Sequence, residues 1–147
     1  MSYKGFFKCR HPEKYVGNPK SIVYRSSWEC KLMMYLDSHD SVIQWASEEI
    51  AIPYVSPIDN RQHKYFPDFW VKKRNKDNSI ETCIIEVKPH KECKPPVQTR
   101  GKSRRRLIQE ATTYEVNQAK WAAATEFCKR AGWKFKVFTE AELNILF

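Results

Sequence analysis

Two apolar stretches close together in the chain, each broken by an acid, constrain the fold most. In Tyr65-Phe66-Pro67-Asp68-Phe69-Trp70-Val71 an aspartate directly after a proline interrupts a run otherwise suited to burial. In Ile80-Glu81-Thr82-Cys83-Ile84-Ile85-Glu86-Val87-Lys88 the two-residue period of a strand puts Ile84, Glu86 and Lys88 on one face. Cys83, Ile85 and Val87 take the other face. Turn residues Lys76-Asp77-Asn78 between the stretches predict a hairpin, with strands over about 63–73 and 80–88. An acid and a base therefore emerge side by side at the end of a strand built for burial. A cross-strand salt bridge at a sheet edge is the plain structural explanation of such a pair. The rest of the chain decides between that and a site.

Around the hairpin the predicted order is helix, strands, helix, strand, helix. Ser26 or Ser27 caps a helix running to about Asp37, with Glu29 in its first turn. Short β segments follow near 42–45 and 50–55, and Ser56-Pro57-Ile58-Asp59-Asn60 supplies turn chemistry. Residues 89–106 form a basic loop containing Pro95-Pro96, expected to be mobile without a ligand. A long helix from about Arg105 to Arg130 stops at Gly132, and Trp133 to Phe138 reads as a strand. Thr139 with Glu142 makes a capping box for a short last helix. Residues 1–22, with Gly5, Pro12, Gly17 and Pro19, read as a basic irregular arm. At 147 residues the chain fits one mixed α/β domain with its own core.

Polar residues recur where the pattern calls for apolar ones. Glu29 falls inside the arc of the first helix that holds Trp28, Leu32, Met33, Tyr35 and Leu36. It is either a core-facing carboxylate that needs a partner or an outward-tilted acid favoured by the helix dipole. In the long helix Leu107, Ala111, Tyr114, Trp121, Ala124, Cys128 and Ala131 share a stripe, with Asn117 inside it and Lys120 on its border. A lone Asn in such a stripe is often a satisfied structural amide. Four separate elements each offering an inward polar residue are harder to explain by structure, because each exception costs stability.

Composition narrows the function. The 26 Lys and Arg against 17 Asp and Glu give a formal charge of +9, which favours a polyanionic partner through counterion release. No stretch approaches the roughly 20 apolar residues of a membrane span, and Met-Ser-Tyr-Lys-Gly lacks the apolar core of a secretory signal. Cys9, Cys30, Cys83, Cys93 and Cys128 are odd in number and scattered, which suits a reducing interior. Cys9, His11, His90 and Cys93 could form a zinc site if their segments met, although the spacing matches no familiar finger.

Pro67-Asp68 followed by Glu86-Val87-Lys88 on adjacent predicted strands, behind a helix bearing Glu29, resembles the PD-(D/E)XK nuclease superfamily. The resemblance implies a restriction-endonuclease-like core of order α-β-β-β-α-β, a mixed sheet flanked by helices, over roughly residues 25–140. A closer resemblance covers nearly the whole chain. It is carried by Tyr24-Arg25-Ser26-Ser27-Trp28-Glu29, Ser47-Glu48-Glu49-Ile50, Ile52-Pro53-Tyr54, Tyr65-Phe66-Pro67-Asp68-Phe69 and Ile85-Glu86-Val87-Lys88-Pro89. Asn117-x-x-Lys120-Trp121, Gly132-Trp133-x-Phe135 and Thr139-Glu140 continue it. These are similar to the head completion nucleases of T-even-like bacteriophages. The same core is similar to the endonuclease subunit of heteromeric transposases, which commonly carries Gln where Glu86 stands here.

What these resemblances imply is a Mg²⁺- or Mn²⁺-dependent endodeoxyribonuclease with little sequence specificity. Asp68 and Glu86 supply hard oxygen ligands of the kind these cations prefer. The Val87 carbonyl adds a ligand, and Glu29 binds metal directly or through water. Lys88 orients or deprotonates the attacking water, or stabilises the charge building on phosphorus. Lys91, Lys94, Arg100, Lys102, Arg104, Arg105 and Arg106 of the basic loop are expected to contact DNA phosphates, with Asn117 and Lys120 facing DNA or supporting the site. The implied role is phage head completion after DNA packaging, in the host cytoplasm or associated with the virion, with portal or neck proteins as further partners. The alternative is a non-catalytic virion assembly protein that binds DNA or the portal through a nuclease-like fold. Clustered metal-binding acids speak against it.

Overall fold

The computed structural model describes residues 4–146. Its elements are β1 (Gly5–Phe6), β2 (Val23–Tyr24), α1 (Ser27–Ser38), β3 (Val42–Ser47), β4 (Ile52–Val55), β5 (Gln62–Tyr65), β6 (Phe69–Arg74), β7 (Ile80–Val87), α2 (Arg104–Ala131), β8 (Lys134–Phe138) and α3 (Glu140–Leu146). A four-stranded sheet of order β3-β6-β7-β8 forms the frame, with β8 parallel to β7 and the other neighbours antiparallel. The sequence α1-β3-β6-β7-α2-β8 is the expected α-β-β-β-α-β core. Strands β4 and β5 form a separate hairpin.

Both faces of the sheet are covered, which is why β7 is apolar on both sides. On one face, Phe69, Val71, Cys83 and Ile85 pack with Leu32, Met33 and Leu36 of α1 and with Trp45. On the other, Ile84 packs with Ile52 and Tyr65 of the hairpin and with Ala124 and Cys128 of α2. The alternation read from the sequence therefore assigns Cys83 and Ile85 to the α1 layer and Ile84 to the α2 layer.

Local chemistry fixes the element ends. Ser26 caps α1, its side chain accepting from the Glu29 N–H at 3.1 Å. Ser103 does the same for α2 through the Arg106 N–H at 3.1 Å. Helix α2 stops at Gly132, whose left-handed φ of 75° a side chain would resist. The capping box holds as expected, with the Thr139 N–H and hydroxyl both donating to Glu142 Oε2 at 2.9 and 2.6 Å. Ala131, expected on the buried stripe, is exposed at the last turn of the helix.

One expected strand is two. Residues 63–73 do not run continuously: β5 ends at Tyr65 in the hairpin and β6 begins at Phe69 in the main sheet. Pro67 lies in the break and lacks the N–H that a ladder would use. The chain changes sheets across Phe66-Pro67-Asp68, and that crossing delivers Asp68 to the mouth of β6. The N-terminal arm is mostly irregular, as expected, but it is packed: Phe7, Tyr15 and Ile22 are buried in the α1-side core. Its backbone is tied to Asp37, whose carboxylate accepts from the N–H groups of Arg10 and His11 at 2.8 and 3.2 Å.

Candidate active site

Asp68 and Glu86 meet where β6 begins and β7 ends, and each is held by the other's strand. The Asp68 N–H donates to Glu86 Oε1 at 3.3 Å, and the Val87 N–H donates to Asp68 Oδ2 at 2.8 Å. Glu86 is buried, at 7% exposure. Burial, and after it the charge of Glu86, push the Asp68 carboxyl well above the usual carboxylate range; the Val87 N–H opposes this. Among the described residues no Lys or Arg forms an ion pair with either acid. Two desolvated carboxylates facing each other without a cation are costly.

Glu29 approaches from α1. Its side chain meets the Ser26 hydroxyl at 3.2 Å, and burial is the main reason its pKa rises. Its charge adds to the rise at Asp68. It is half-buried at the helix start, so it combines the two readings open from sequence: a site-facing acid in the first turn. Glu29 does not close a common shell with Asp68 and Glu86, since among the described residues no three His, Cys, Asp or Glu side chains converge as metal ligands. Cys9, His11, His90 and Cys93 do not converge either. The Cys9–His11 segment lies against Asp37, whereas the His90 N–H donates to Glu140 and Cys93 Sγ to the Pro89 carbonyl.

Lys88 follows β7 by one residue and is half-buried, its N–H donating to the Phe138 carbonyl at 2.9 Å. By strand alternation its side chain shares the face of Glu86, yet it makes no ion pair with a described residue.

The basic residues divide. Lys91, Lys94, Lys102, Arg106 and Asn117 line a cleft of ≈ 690 Å³ between the loop and the first half of α2. Asn117 is 6% exposed there, so it is inward-facing as the stripe predicts. Lys102 is built into the loop: its ammonium donates to the Val97 carbonyl at 2.6 Å and pairs with Glu110 at 2.7 Å. Arg100, Arg104 and Arg105 are exposed. Lys120 lies elsewhere, its Nζ 5.6 Å from the centroid of the Tyr65 ring and 5.8 Å from that of Tyr54.

Three neighbours of the acids escape the pattern of the sequence. Arg25 pairs with Glu48, and its positive charge is also felt by Glu29. Glu48 has a left-handed φ of 54°, unusual for a residue with a side chain, and its N–H donates to the Asp68 carbonyl at 3.2 Å. Tyr65 is buried beside Glu86, whose charge, after burial itself, raises the phenol's pKa. Arg25, Glu48 and Tyr65 lie within motifs quoted from the sequence, but no periodicity gives them a role, and only the folded geometry brings them to the acids.

A mixed sheet with this strand order, carrying an acid pair at the junction of its two central strands, defines a restriction-endonuclease-like domain. The model of the TnsA-like endonuclease N-terminal family matches residues 39–140, a span that holds Asp68, Glu86 and Lys88. The chain is also similar to the head completion nuclease of Enterobacteria phage T4, at 37% identity over 149 residues, covering 99% of this chain and 97% of that protein. The chain belongs to the TnsA-like endonuclease family.

Proposed function

We propose that the chain is a Mg²⁺- or Mn²⁺-dependent endodeoxyribonuclease that acts on DNA with little sequence specificity during head completion of a phage. The observation that carries the reading is the Asp68–Glu86 pair: Glu86 buried and Asp68 half-buried, mutually repelling, and with no Lys or Arg ion pair among the described residues. Hard oxygen donors in that condition fit a divalent cation of the Mg²⁺ or Mn²⁺ kind. Asp68 and Glu86 would hold it, with the Val87 carbonyl, and Glu29, which does not converge with them in the described structure, would join through water or directly after its side chain moves. Family membership and the similarity to a head completion nuclease over nearly the full length of both chains support the nuclease activity and the phage role.

When bound, the cation supplies Lewis-acid neutralisation of phosphate charge and a more acidic water. The chain does the rest. Backbone N–H groups of Asp68 and Val87 fix the carboxylates. The unpaired Lys88 ammonium acts on the attacking water or on the charge developing at phosphorus. The basic cleft of Lys91, Lys94 and Arg106, together with exposed Arg100, Arg104 and Arg105, contacts phosphates and guides DNA toward Lys88. Lys102, already paired, keeps the loop in shape and Asn117 faces the cleft. Lys120 supports the site through Tyr65. The protein works in the host cytoplasm, beside portal or neck proteins, on DNA ends of the filled head.

The test is supercoiled plasmid incubated with Mg²⁺ or Mn²⁺, with EDTA controls and the Asp68→Ala variant. Nicking or linearisation that needs metal and disappears in a folded variant still able to bind DNA is the expected result. Intact plasmid, with other DNA forms also uncut, favours the non-catalytic assembly protein; cleavage that persists in the variant marks a contaminant.

A further inference from the structure

Glu86 has a near neighbour whose hydroxyl has no part in the reaction outlined above. The Tyr65 side chain is 3% exposed, and its hydroxyl is fully buried with no hydrogen-bond partner of normal geometry. The Trp121 indole N–H is buried and unpartnered in the same way. Tyr65 and Trp121 pack in one cluster with Ile84, the residue before Glu86 on the same face of β7, and the hydroxyl feels both the Glu86 carboxylate and the indole N–H. Buried donors are rarely left open, because each then loses its water without replacement.

The chemistry of these three groups permits a single direction. An indole N–H can only donate, an ionised carboxylate can only accept, and a phenol does both. Trp121 therefore donates to the Tyr65 oxygen and Tyr65 donates to Glu86. The ring is held by packing among Ile52, Ile84, Ala124 and Cys128, with the Lys120 ammonium 5.6 Å from its centroid. If this place needed only apolar filling, Phe would fill it without an orphaned hydroxyl.

We propose that Tyr65 is a positioning residue for Glu86: its hydroxyl, backed by the Trp121 N–H, donates to that carboxylate when a divalent cation draws it into coordination. The Asp68 N–H already holds one Glu86 oxygen; Tyr65 holds the carboxylate from the α2 side, so its direction is set before substrate arrives. Partners that orient a metal ligand in this manner commonly change metal affinity 10- to 100-fold. The inference rests on the metal site proposed above.

Tyr65→Phe removes only the hydroxyl. Three measurements on the full chain decide: Mn²⁺ affinity by titration calorimetry, thermal unfolding in EDTA, and plasmid cleavage against Mn²⁺ concentration. The expected result is an unfolding temperature in EDTA equal to or above that of the unmodified protein, with Mn²⁺ affinity about tenfold weaker or more. Cleavage falls at limiting Mn²⁺ and is largely restored at saturation. Trp121→Phe shifts affinity the same way by less. Unchanged affinity in Tyr65→Phe overturns the proposal, and so does weaker affinity accompanied by a lower unfolding temperature in EDTA, which would mark a packing role. Glu86→Ala in the same titration separates the two levels. If it binds Mn²⁺ like the unmodified protein, the metal site itself is wrong; if it does not and Tyr65→Phe does, only the positioning role is wrong.

Discussion

Strand β7 carries a glutamate near each end, and the two are held in opposite ways. Glu81, at the start, takes hydrogen bonds from Lys134 at 2.9 Å and Lys136 at 2.8 Å, with Lys73 at 3.5 Å. Those lysines, Lys136 foremost, hold its carboxyl down to about 2. Glu86, five residues further along and on the strand's other face, has an aspartate for a neighbour and, among the described residues, no Lys or Arg in an ion pair with it. The fold thus knows how to satisfy an acid on this strand, and recruits three lysines from the two flanking strands to do so. At Glu86 it withholds even Lys88, the next residue on the same face. A pattern selected for stability alone would have paired them. The difference marks Glu81 as structure and, on the function proposed above, leaves Glu86 for a ligand.

Asp68→Asn tests the contrast most severely. Cleavage should fall about 10³-fold or more, since a ligand and its charge are lost. The folded protein in EDTA should meanwhile gain about 1–2 kcal/mol, read as a higher unfolding temperature, because a buried repulsion is removed. The sign follows from the raised Asp68 pKa. Ionisation costs more in the folded than the unfolded chain, so the penalty is full above the folded pKa and fades as pH falls through it toward the ordinary carboxylate value. The advantage of the Asn variant should fade with it. Lower stability in EDTA would place Asp68 with Glu81 instead.

Glu81→Gln is the mirror experiment. It should leave cleavage intact and lower stability at neutral pH by about 1–2 kcal/mol, since hydrogen bonds to charged lysines are lost. The depressed pKa means that the contribution of Glu81 is present above the ordinary carboxylate value and disappears as pH falls toward about 2. Unfolding temperatures of the two proteins should therefore converge across that acid range. A loss of cleavage would join the two ends of β7 in one function.

Glu48→Gly decides to which class the Arg25–Glu48 pair belongs. Relief of the left-handed backbone is offset by glycine's freedom in the unfolded chain and by the lost exposed pair, so stability should move by no more than about 0.5 kcal/mol. Cleavage should still drop several-fold, as an unheld Arg25 disturbs the charges around Glu29. Unchanged plasmid cleavage would assign the pair to structure, with Glu81.

Much of this contrast is legible in the sequence because it depends on neighbours along one strand. The two-residue period of β7 predicts that Glu86 departs from a buried face, and Pro67 announces a special position just before Asp68. Pro67 also ends the strand there, which the apolar run on both sides conceals. Glu81 looks like any charge at a strand start, since its lysines come from β6 and β8. Tyr65 reads as one more apolar residue of its run, because the orphaning of its hydroxyl depends on Trp121, far along the chain. The basic loop reads as uniform charge, whereas folding takes Lys102 out of it through Glu110. Alternation within one strand can be read directly; pairing between distant segments depends on the fold.

The way the sheet is wired also sets an order in time. Strands β6 and β7 are joined by the short turn of residues 75–79, while β8 reaches β7 only after the whole of residues 88–133. Closing the short loop costs far less chain entropy, so the hairpin has the kinetic advantage and the parallel partner arrives late. The two acids are therefore brought face to face in the early hairpin, before α2 and β8 seal the layer above them. On the metal site proposed above, their repulsion slows the sealing of that layer, and a divalent cation present in the refolding medium should relieve it.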